Sequence, residues 1–94
     1  MAVADIAVIP EGVKDVYDAV DRAIEIIKNS GLRYEVDAMS TAVEGELDEI
    51  LNLVKKIHKA MFDYGADGVL TNLRVQESKR YPTSIIDKTK KHRQ

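Results

Sequence analysis

Two polar side chains within residues 39–46 have the types and spacing that a ligand-binding site needs. Glu44 is a carboxylate placed directly before Gly45, and Thr41 is a hydroxyl on a strand face that is otherwise apolar. Glycine allows a ligand to approach the backbone closely, and the end of a strand next to the start of a helix commonly holds a site. A structural alternative stays open, in which Glu44 caps the following helix and Thr41 is only a β-branched strand residue.

The other chemically active residue types favour binding over catalysis. The chain has no cysteine, which excludes disulfides, thiolate catalysis and cysteine-ligated metal centres. His58 lies among apolar helix positions and His92 near the C-terminus, so we predict no metal site. Acid–base catalysis needs a positioned pair of groups with shifted pKa values, and the sequence shows acids without a convincing partner. An acylphosphatase-like activity needs an arginine in the loop after the first strand, where this chain has Glu11. We therefore predict no catalytic residues, no required cofactor and no enzyme activity.

Composition and charge indicate one ordinary globular domain with an acidic body. The 94 residues are 45% hydrophobic and 32% charged, without a long apolar run or a leader pattern, so we expect a cytoplasmic protein with no membrane partner. Residues 1–78 carry 8 basic and 15 acidic side chains, whereas residues 79–94 carry 6 basic and 1 acidic. The acidic body disfavours nucleic acid and suits a cationic ligand. The basic tail at residues 79–94 is expected to be a solvated end.

Hydrophobic periodicity predicts six elements. Strands are expected at residues 3–9, 32–37, 39–44 and 69–76, and helices run from Val13 to Ser30 and from near Gly45 to Gly65. The apolar faces predicted for the two helices are Val13, Val16, Tyr17, Val20, Ile24 and Ile27, followed by Leu47, Ile50, Leu51, Val54, Ile57, His58 and Met61. Tyr17 and Tyr64 are expected at the edge of the core, with hydroxyls in water.

The order βαββαβ predicts an α+β domain of the ferredoxin-like type at residues 1–78. The second and third strands are too close for a crossover and form a hairpin. Right-handed crossovers then give a four-stranded antiparallel sheet with both helices on one face. The other face should be polar in a monomer, yet the strands carry apolar residues on both sides. An uncovered apolar face predicts that the protein associates with itself. An RNA-recognition module of the same order would need strand aromatics, whereas the single phenylalanine, Phe62, lies in a helix.

Three runs of sequence resemble a known family: residues 38–50 (AMSTAVEGELDEI), 57–62 (IHKAMF) and 65–71 (GADGVLT). They are similar to the thiamine-binding ferredoxin-like small proteins. Members of that family share a methionine-x-threonine stretch before Glu-Gly-acidic-Leu-Asp-Glu, a histidine in the second helix and a threonine in the last strand. The resemblance covers about residues 3–77. Glu11 stands where the family usually has an apolar residue, and Gly68 where it usually has an arginine.

The resemblance implies a small-molecule binding protein whose expected ligand is thiamine or a related aminopyrimidine held at subunit contacts. It also implies homodimers that pair into homotetramers through their sheets. In such a site Glu44 would pair with the aminopyrimidine in bidentate fashion, while Thr41 and Asn72 would add neutral hydrogen bonds. Met39 and Tyr34 would supply apolar or aromatic contact.

One alternative of a different kind stays open from the sequence. The chain could be a regulatory or structural oligomer that binds a different small ligand, or only a protein partner. A polar pocket that contains Glu44 and is buried by the oligomer would distinguish the thiamine-binding interpretation from this one.

Overall fold

The computed structural model describes residues 1–80 and 83–92. The strands are β1 (Ala2–Glu11), β2 (Arg33–Val36), β3 (Thr41–Gly45) and β4 (Gly68–Glu77), and the helices are α1 (Val16–Lys28), α2 (Leu47–Tyr64) and α3 (Ile85–Thr89). The first six elements follow the predicted βαββαβ order, whereas α3 is an addition to it. None of the helices in the described part of the chain has the length and apolar character that crossing a bilayer requires.

The strands form one antiparallel sheet in the order β2-β3-β1-β4. β1 is central, and its Ile6 lies opposite Thr41 of β3 on one side and Leu73 of β4 on the other. An apolar β1 suits this position because a central strand is covered by neighbours along both edges. α1 and α2 pack together on one face of the sheet. The predicted ferredoxin-like α+β fold is therefore confirmed.

The two faces of the sheet differ in what covers them. The helix face lies under α1 and α2 and carries alternate strand residues such as Ala4, Ile6 and Val43, which are buried. Ile27 of α1 and Ile57 of α2 belong to the same core. The intervening strand residues point away from the helices and form the open face, because side chains alternate along a strand.

Both long helices contact the sheet along a line of residues slightly different from the predicted one. α1 buries Ala19 and Ala23, whereas Tyr17 is 87% exposed. The small alanine side chains let α1 approach the sheet closely, so the contact line shifts toward them and Tyr17 turns to solvent. The expectation that Tyr17 lies at the core edge is wrong. In α2, Leu53 is buried while the predicted Leu51 is exposed.

Two polar contacts tie α2 to its neighbours. His58 is half-buried, and its Nε2 lies 2.7 Å from the Oγ1 of Thr71 in β4. Tyr64 packs against the core as predicted, and its hydroxyl donates a 2.8 Å hydrogen bond to Asp18 Oδ2 of α1. This hydrogen bond to a carboxylate, aided by desolvation, raises the pKa of Tyr64 above its usual value, since it favours the protonated phenol.

The described part of the basic C-terminal segment packs onto the open face. Ile85 is 5% exposed, and its backbone N–H donates a 2.7 Å hydrogen bond to Glu44 Oε2. Lys88 Nζ donates to Gln76 Oε1, so α3 crosses the open face from β3 to β4. The expectation of a solvated tail is therefore wrong for α3. Arg93, which also belongs to that tail, lies outside the described residues, and a domain boundary after residue 78 stays a prediction.

Candidate functional site

A cavity of about 370 Å³ opens between α1 and the turn that joins β2 to β3. We call it the α1 cavity. β1 contributes Ile6 and Val8 to its walls, and α1 contributes Val20 and Ile24. This volume and this apolar lining are typical of sites that enclose a small organic molecule.

The turn at residues 37–40 forms one wall of the α1 cavity. The Asp37 N–H donates a 2.9 Å hydrogen bond to the Ser40 carbonyl, which closes the chain between β2 and β3. Met39 lies in this turn with its side chain 88% exposed. Thr41 follows as the first residue of β3, opposite Ile6, and therefore points to the helix face.

Thr41 is the least exposed polar residue in the cavity lining. It is 5% exposed, and none of the described residues forms a hydrogen bond with its side-chain hydroxyl. Every fully enclosed side-chain polar atom of the described residues has a hydrogen-bond partner, so the Thr41 oxygen is not fully enclosed. A hydroxyl that opens onto a cavity is available to bind water or a ligand. A threonine hydroxyl can both donate and accept in such a contact.

The charged groups of the cavity lining are acidic. Asp21 of α1 and Asp37 of the turn are both exposed, and neither carboxylate forms an ion pair or a hydrogen bond with another described residue. None of the described residues in the lining is a lysine, an arginine or a histidine. Tyr17 lies one helical turn before Asp21 and adds an exposed aromatic ring. An apolar cavity with uncompensated negative charge suits a flat organic cation.

The five predicted binding residues are not all brought together in one subunit. Thr41 and Met39 lie at the α1 cavity. Tyr34 is on the helix face of β2, opposite Val43, but outside the cavity lining. Glu44 and Asn72 lie on the open face, where they pair with Val3 and Ala7 of β1.

Glu44 has structural partners on the open face. Its Oε2 accepts the hydrogen bond from the Ile85 N–H, and its Oε1 lies 3.8 Å from Arg33 Nε. The alternative in which Glu44 caps α2 is wrong, because the N-cap is Glu46. The Glu46 N–H donates a 3.0 Å hydrogen bond to Glu49 Oε1, as in a capping box.

Sequence reasoning missed the residues that α1 contributes to the cavity and, apart from Met39, those of the turn. Tyr17 and Asp21 are four residues apart and therefore share one face of α1, beside the buried alanines. That spacing of an aromatic ring and an acid was the available signal. Asp37 and Ser40 gave no signal apart from their place between two strands.

A second cavity of about 390 Å³ lies between the C-terminal end of α1 and the first half of α2. Its lining includes Asn29, Glu49 and Lys56, and none of the five predicted binding residues. Glu49 already serves as a hydrogen-bond acceptor in the α2 capping box. The α1 cavity is therefore the better candidate site.

The departures from the family pattern at Glu11 and Gly68 are neighbours in space. Glu11 and Gly68 are directly opposite each other in the β1–β4 ladder. A Cβ atom added at Gly68 would lie 2.5 Å from Glu11 Oε1, so the glutamate side chain occupies the space that a larger residue at position 68 would need. Glu11 and Gly68 thus form one local contact, away from the α1 cavity lining.

The fold and the cavity define a ferredoxin-like α+β protein with an acidic, ligand-sized cavity. A family model described as thiamine-binding protein matches residues 4–93. A UPF0045 protein of Methanocaldococcus jannaschii is 37% identical over 89 residues, which cover 94% of this chain and 88% of that protein. The UPF0045 protein YqgV of Bacillus subtilis is 32% identical over 103 residues, which cover 100% of this chain and 99% of that protein.

Solved structures agree with the sequence matches. A Bacillus cereus domain of unknown function has a TM-score of 0.91 and 41% identity, with 98% of this chain and 89% of that chain covered. A Thermotoga maritima protein, whose name proposes a role in thiamine biosynthesis or salvage, has a TM-score of 0.87 and 32% identity over 98% of both chains. The chain therefore belongs to the thiamine-binding protein family. That family is described by ligand binding and not by a reaction, which supports a small-molecule binding role.

Proposed function

We propose that the α1 cavity binds thiamine or a related aminopyrimidine and catalyses no reaction on it. The observation that carries the proposal is the Thr41 hydroxyl, which faces an apolar cavity without a described partner. Membership of the thiamine-binding family names the ligand class. Together they make Thr41 the residue on which recognition of the ligand depends.

The lining matches the chemistry of an aminopyrimidine. Such a ring is flat, with nitrogen acceptors and an exocyclic amine donor. The Thr41 hydroxyl can donate to a ring nitrogen, and the Asp37 carboxylate can accept from the amine. Val8 and Ile24 offer apolar walls for the ring faces. Tyr17 and Met39 are available for contact with the second ring of thiamine, because both side chains are exposed beside the cavity.

Charge supports the same ligand. The thiazolium ring of thiamine is permanently positive, and Asp21 and Asp37 supply negative charge at the cavity. The sequence-based hypothesis instead let the acidic body as a whole suit the cation and let Glu44 pair with the aminopyrimidine. Glu44 lies on the opposite face of the sheet, with Arg33 and Ile85 as partners. The carboxylates of α1 and the turn take its place in the proposal.

We also propose that copies of the chain pair through the open face, as homodimers that assemble into homotetramers. Ile9 and Leu70 lie directly opposite each other on that face and are 45% and 53% exposed. Asn72 and Ala7 form the next cross-strand pair. α3 covers the other end of the face, so the apolar contact surface is confined to the end near Ile9. Asn72 would then lie at a subunit contact.

Sedimentation of the wild-type protein tests this assembly. Leu70→Asp would place a charge in the contact and should convert the oligomer to smaller species. Leu51→Asp is a matched control, since Leu51 is an exposed leucine of α2 and lies away from the open face. A wild-type monomer, or equal masses for all three proteins, would contradict the assembly and leave ligand binding to be judged separately.

Calorimetric titration with thiamine tests the binding site. Thr41→Val should weaken binding roughly fivefold, the factor expected for the loss of one hydrogen bond of about 1 kcal/mol. Thr41→Ser keeps the hydroxyl and should stay within about threefold of wild type. Glu44→Gln should stay within about twofold, because Glu44 lies on the other face.

Two results would overturn the site. Equal affinity for wild type and Thr41→Val would remove Thr41 from recognition, and a large loss with Glu44→Gln would move the ligand to the sheet contact. No heat with thiamine or a bare aminopyrimidine, from a folded oligomer, would favour the alternative of a regulatory or structural oligomer with another ligand or a protein partner.

A further inference from the structure

We infer that the open face holds a second ligand site, a cavity beside α3 that binds a small organic phosphate through Arg74 and Lys88. We call it the α3 cavity. Its volume is about 410 Å³, and β1, β3, β4 and α3 all contribute to its lining. It shares no lining residue with the α1 cavity, so the inference is independent of the ligand proposed there.

The charged side chains of the α3 cavity are mainly cationic. Arg74 and Lys88 supply positive charge, whereas Asp5 is the one acid among the described lining residues. Arg74 Nη2 lies 3.3 Å from Asp5 Oδ2, and the Arg74 side chain is 87% exposed. Lys88 forms no ion pair with a described acid, and its described hydrogen bond goes to the neutral side chain of Gln76. One positive charge at the cavity is therefore not neutralised from within the described chain.

The two cations are close enough to act on one ligand. Arg74 and Gln76 are two residues apart in β4, so both point to the open face with their Cα atoms roughly 7 Å apart. Lys88 contacts Gln76 and therefore lies beside Arg74. Each cation has one described hydrogen bond, which leaves further N–H donors of both groups for a ligand. An arginine fork together with a lysine point charge suits phosphate.

The anchoring of α3 holds Lys88 beside the sheet. Ile85, at the start of α3, is buried, and its N–H donates a 2.7 Å hydrogen bond to Glu44 Oε2. Ahead of the helix, Thr83 is 6% exposed, and its hydroxyl donates a 3.0 Å hydrogen bond to the Met1 carbonyl. A cation carried by an anchored element loses less freedom when a ligand binds, so the α3 cavity is preorganised for binding.

The remaining lining and its surroundings define the rest of the ligand. Val3, Ala42 and Val75 give the α3 cavity apolar walls, which a bare phosphate ion would leave uncovered. The ligand should therefore carry an apolar body on its phosphate. Lys90 and Lys91 follow α3 and add positive charge nearby. A phosphate monoester carries about −1.5 to −2 near neutral pH, so this end of the open face attracts it.

Calorimetry with phenyl phosphate tests the inference, with inorganic phosphate and benzoate as comparators. Wild type should bind phenyl phosphate at least about fivefold more tightly than either comparator, because inorganic phosphate lacks the apolar body and benzoate has less charge. Arg74→Gln and Lys88→Gln should each weaken binding roughly tenfold, as expected for the loss of a charge-assisted hydrogen bond. Lys55→Gln is the matched control and should change nothing, because Lys55 is an exposed lysine of α2 outside the α3 cavity lining.

The outcomes separate this inference from the proposed function. Thr41→Val should leave the affinity for phenyl phosphate unchanged, because Thr41 lines the other cavity. Absence of phenyl phosphate binding to the folded wild type would overturn the α3 cavity site, and so would an equal loss in Lys55→Gln and Lys88→Gln. Tighter binding of benzoate than of phenyl phosphate would overturn the choice of phosphate. None of these results depends on whether thiamine binds.

Discussion

The helix face and the open face of the sheet hold their polar side chains in different ways. On the helix face, Thr41 faces a cavity and has no described hydrogen-bond partner. On the open face, Glu44 accepts a hydrogen bond from Ile85 and lies near Arg33. A polar group that the protein already satisfies stabilises the fold, whereas one that faces a cavity is available to a ligand. The comparison favours the helix side as the proposed binding side, although Glu44, the carboxylate of residues 39–46 that the sequence singled out, lies on the open face.

The largest expected difference between the faces is in stability. Ile57 is fully buried under the helix face, so Ile57→Ala should lower the free energy of unfolding by about 3 kcal/mol. Leu70 is half-exposed on the open face, and Leu70→Ala should cost less than about 1 kcal/mol at low protein concentration. Urea unfolding over a range of protein concentrations measures both. Equal costs at every concentration would show that the open face is as well packed as the core.

The next effect concerns the cover that α3 gives to the open face. Ile85 is buried while its neighbour Ile86 is 45% exposed, so the two form a matched pair. Ile85→Ala should cost about 2 kcal/mol, the lower end for a buried isoleucine, because α3 is short and peripheral. Ile86→Ala should cost less than about 0.5 kcal/mol. Similar values from urea unfolding would mean that α3 does not pack stably on the sheet.

The smallest effect is the coupling between Glu11 and Gly68. Gly68→Ala forces the Glu11 side chain to move, so its cost should fall when Glu11→Ala is already present. A double-mutant cycle should give a coupling of roughly 0.5 kcal/mol. The matched comparison is Gly31→Ala, since Gly31 has open space around its Cβ position but a positive φ of 83° and should show no coupling to Glu11. Additive effects of Glu11→Ala and Gly68→Ala would show that the two sites do not interact.

The sequence predicted the element order and the sheet well, because the periods of the strands and helices are regular. The alternation of side chains along a strand also bears on the predicted site. Thr41 and Glu44 are three residues apart in one strand, so their side chains must point to opposite faces. One carboxylate and one hydroxyl at that spacing cannot contact the same small ligand from within a single straight strand.

Two further features depended on packing that composition does not reveal. The buried face of α1 differs from the predicted apolar face because it includes Ala19 and Ala23. Alanine is only weakly hydrophobic, so the hydrophobic pattern did not single these residues out. The C-terminal helix α3 was not predicted, because the basic residues around it are typical of a solvated tail. The residue before its start, Ser84, is nevertheless a common N-cap residue. Ser84 accepts a 3.1 Å hydrogen bond from the Asp87 N–H and so caps α3, as serine commonly does at a helix N-terminus.

The most direct test of the central claim is to map the thiamine site on the isotopically labelled protein by amide chemical shifts. Binding in the α1 cavity predicts the largest shifts at Tyr17, Met39 and Thr41, with small shifts at Glu44 and Asn72. Saturable shifts confined to Glu44 and Asn72 would contradict the account and place the ligand on the open face.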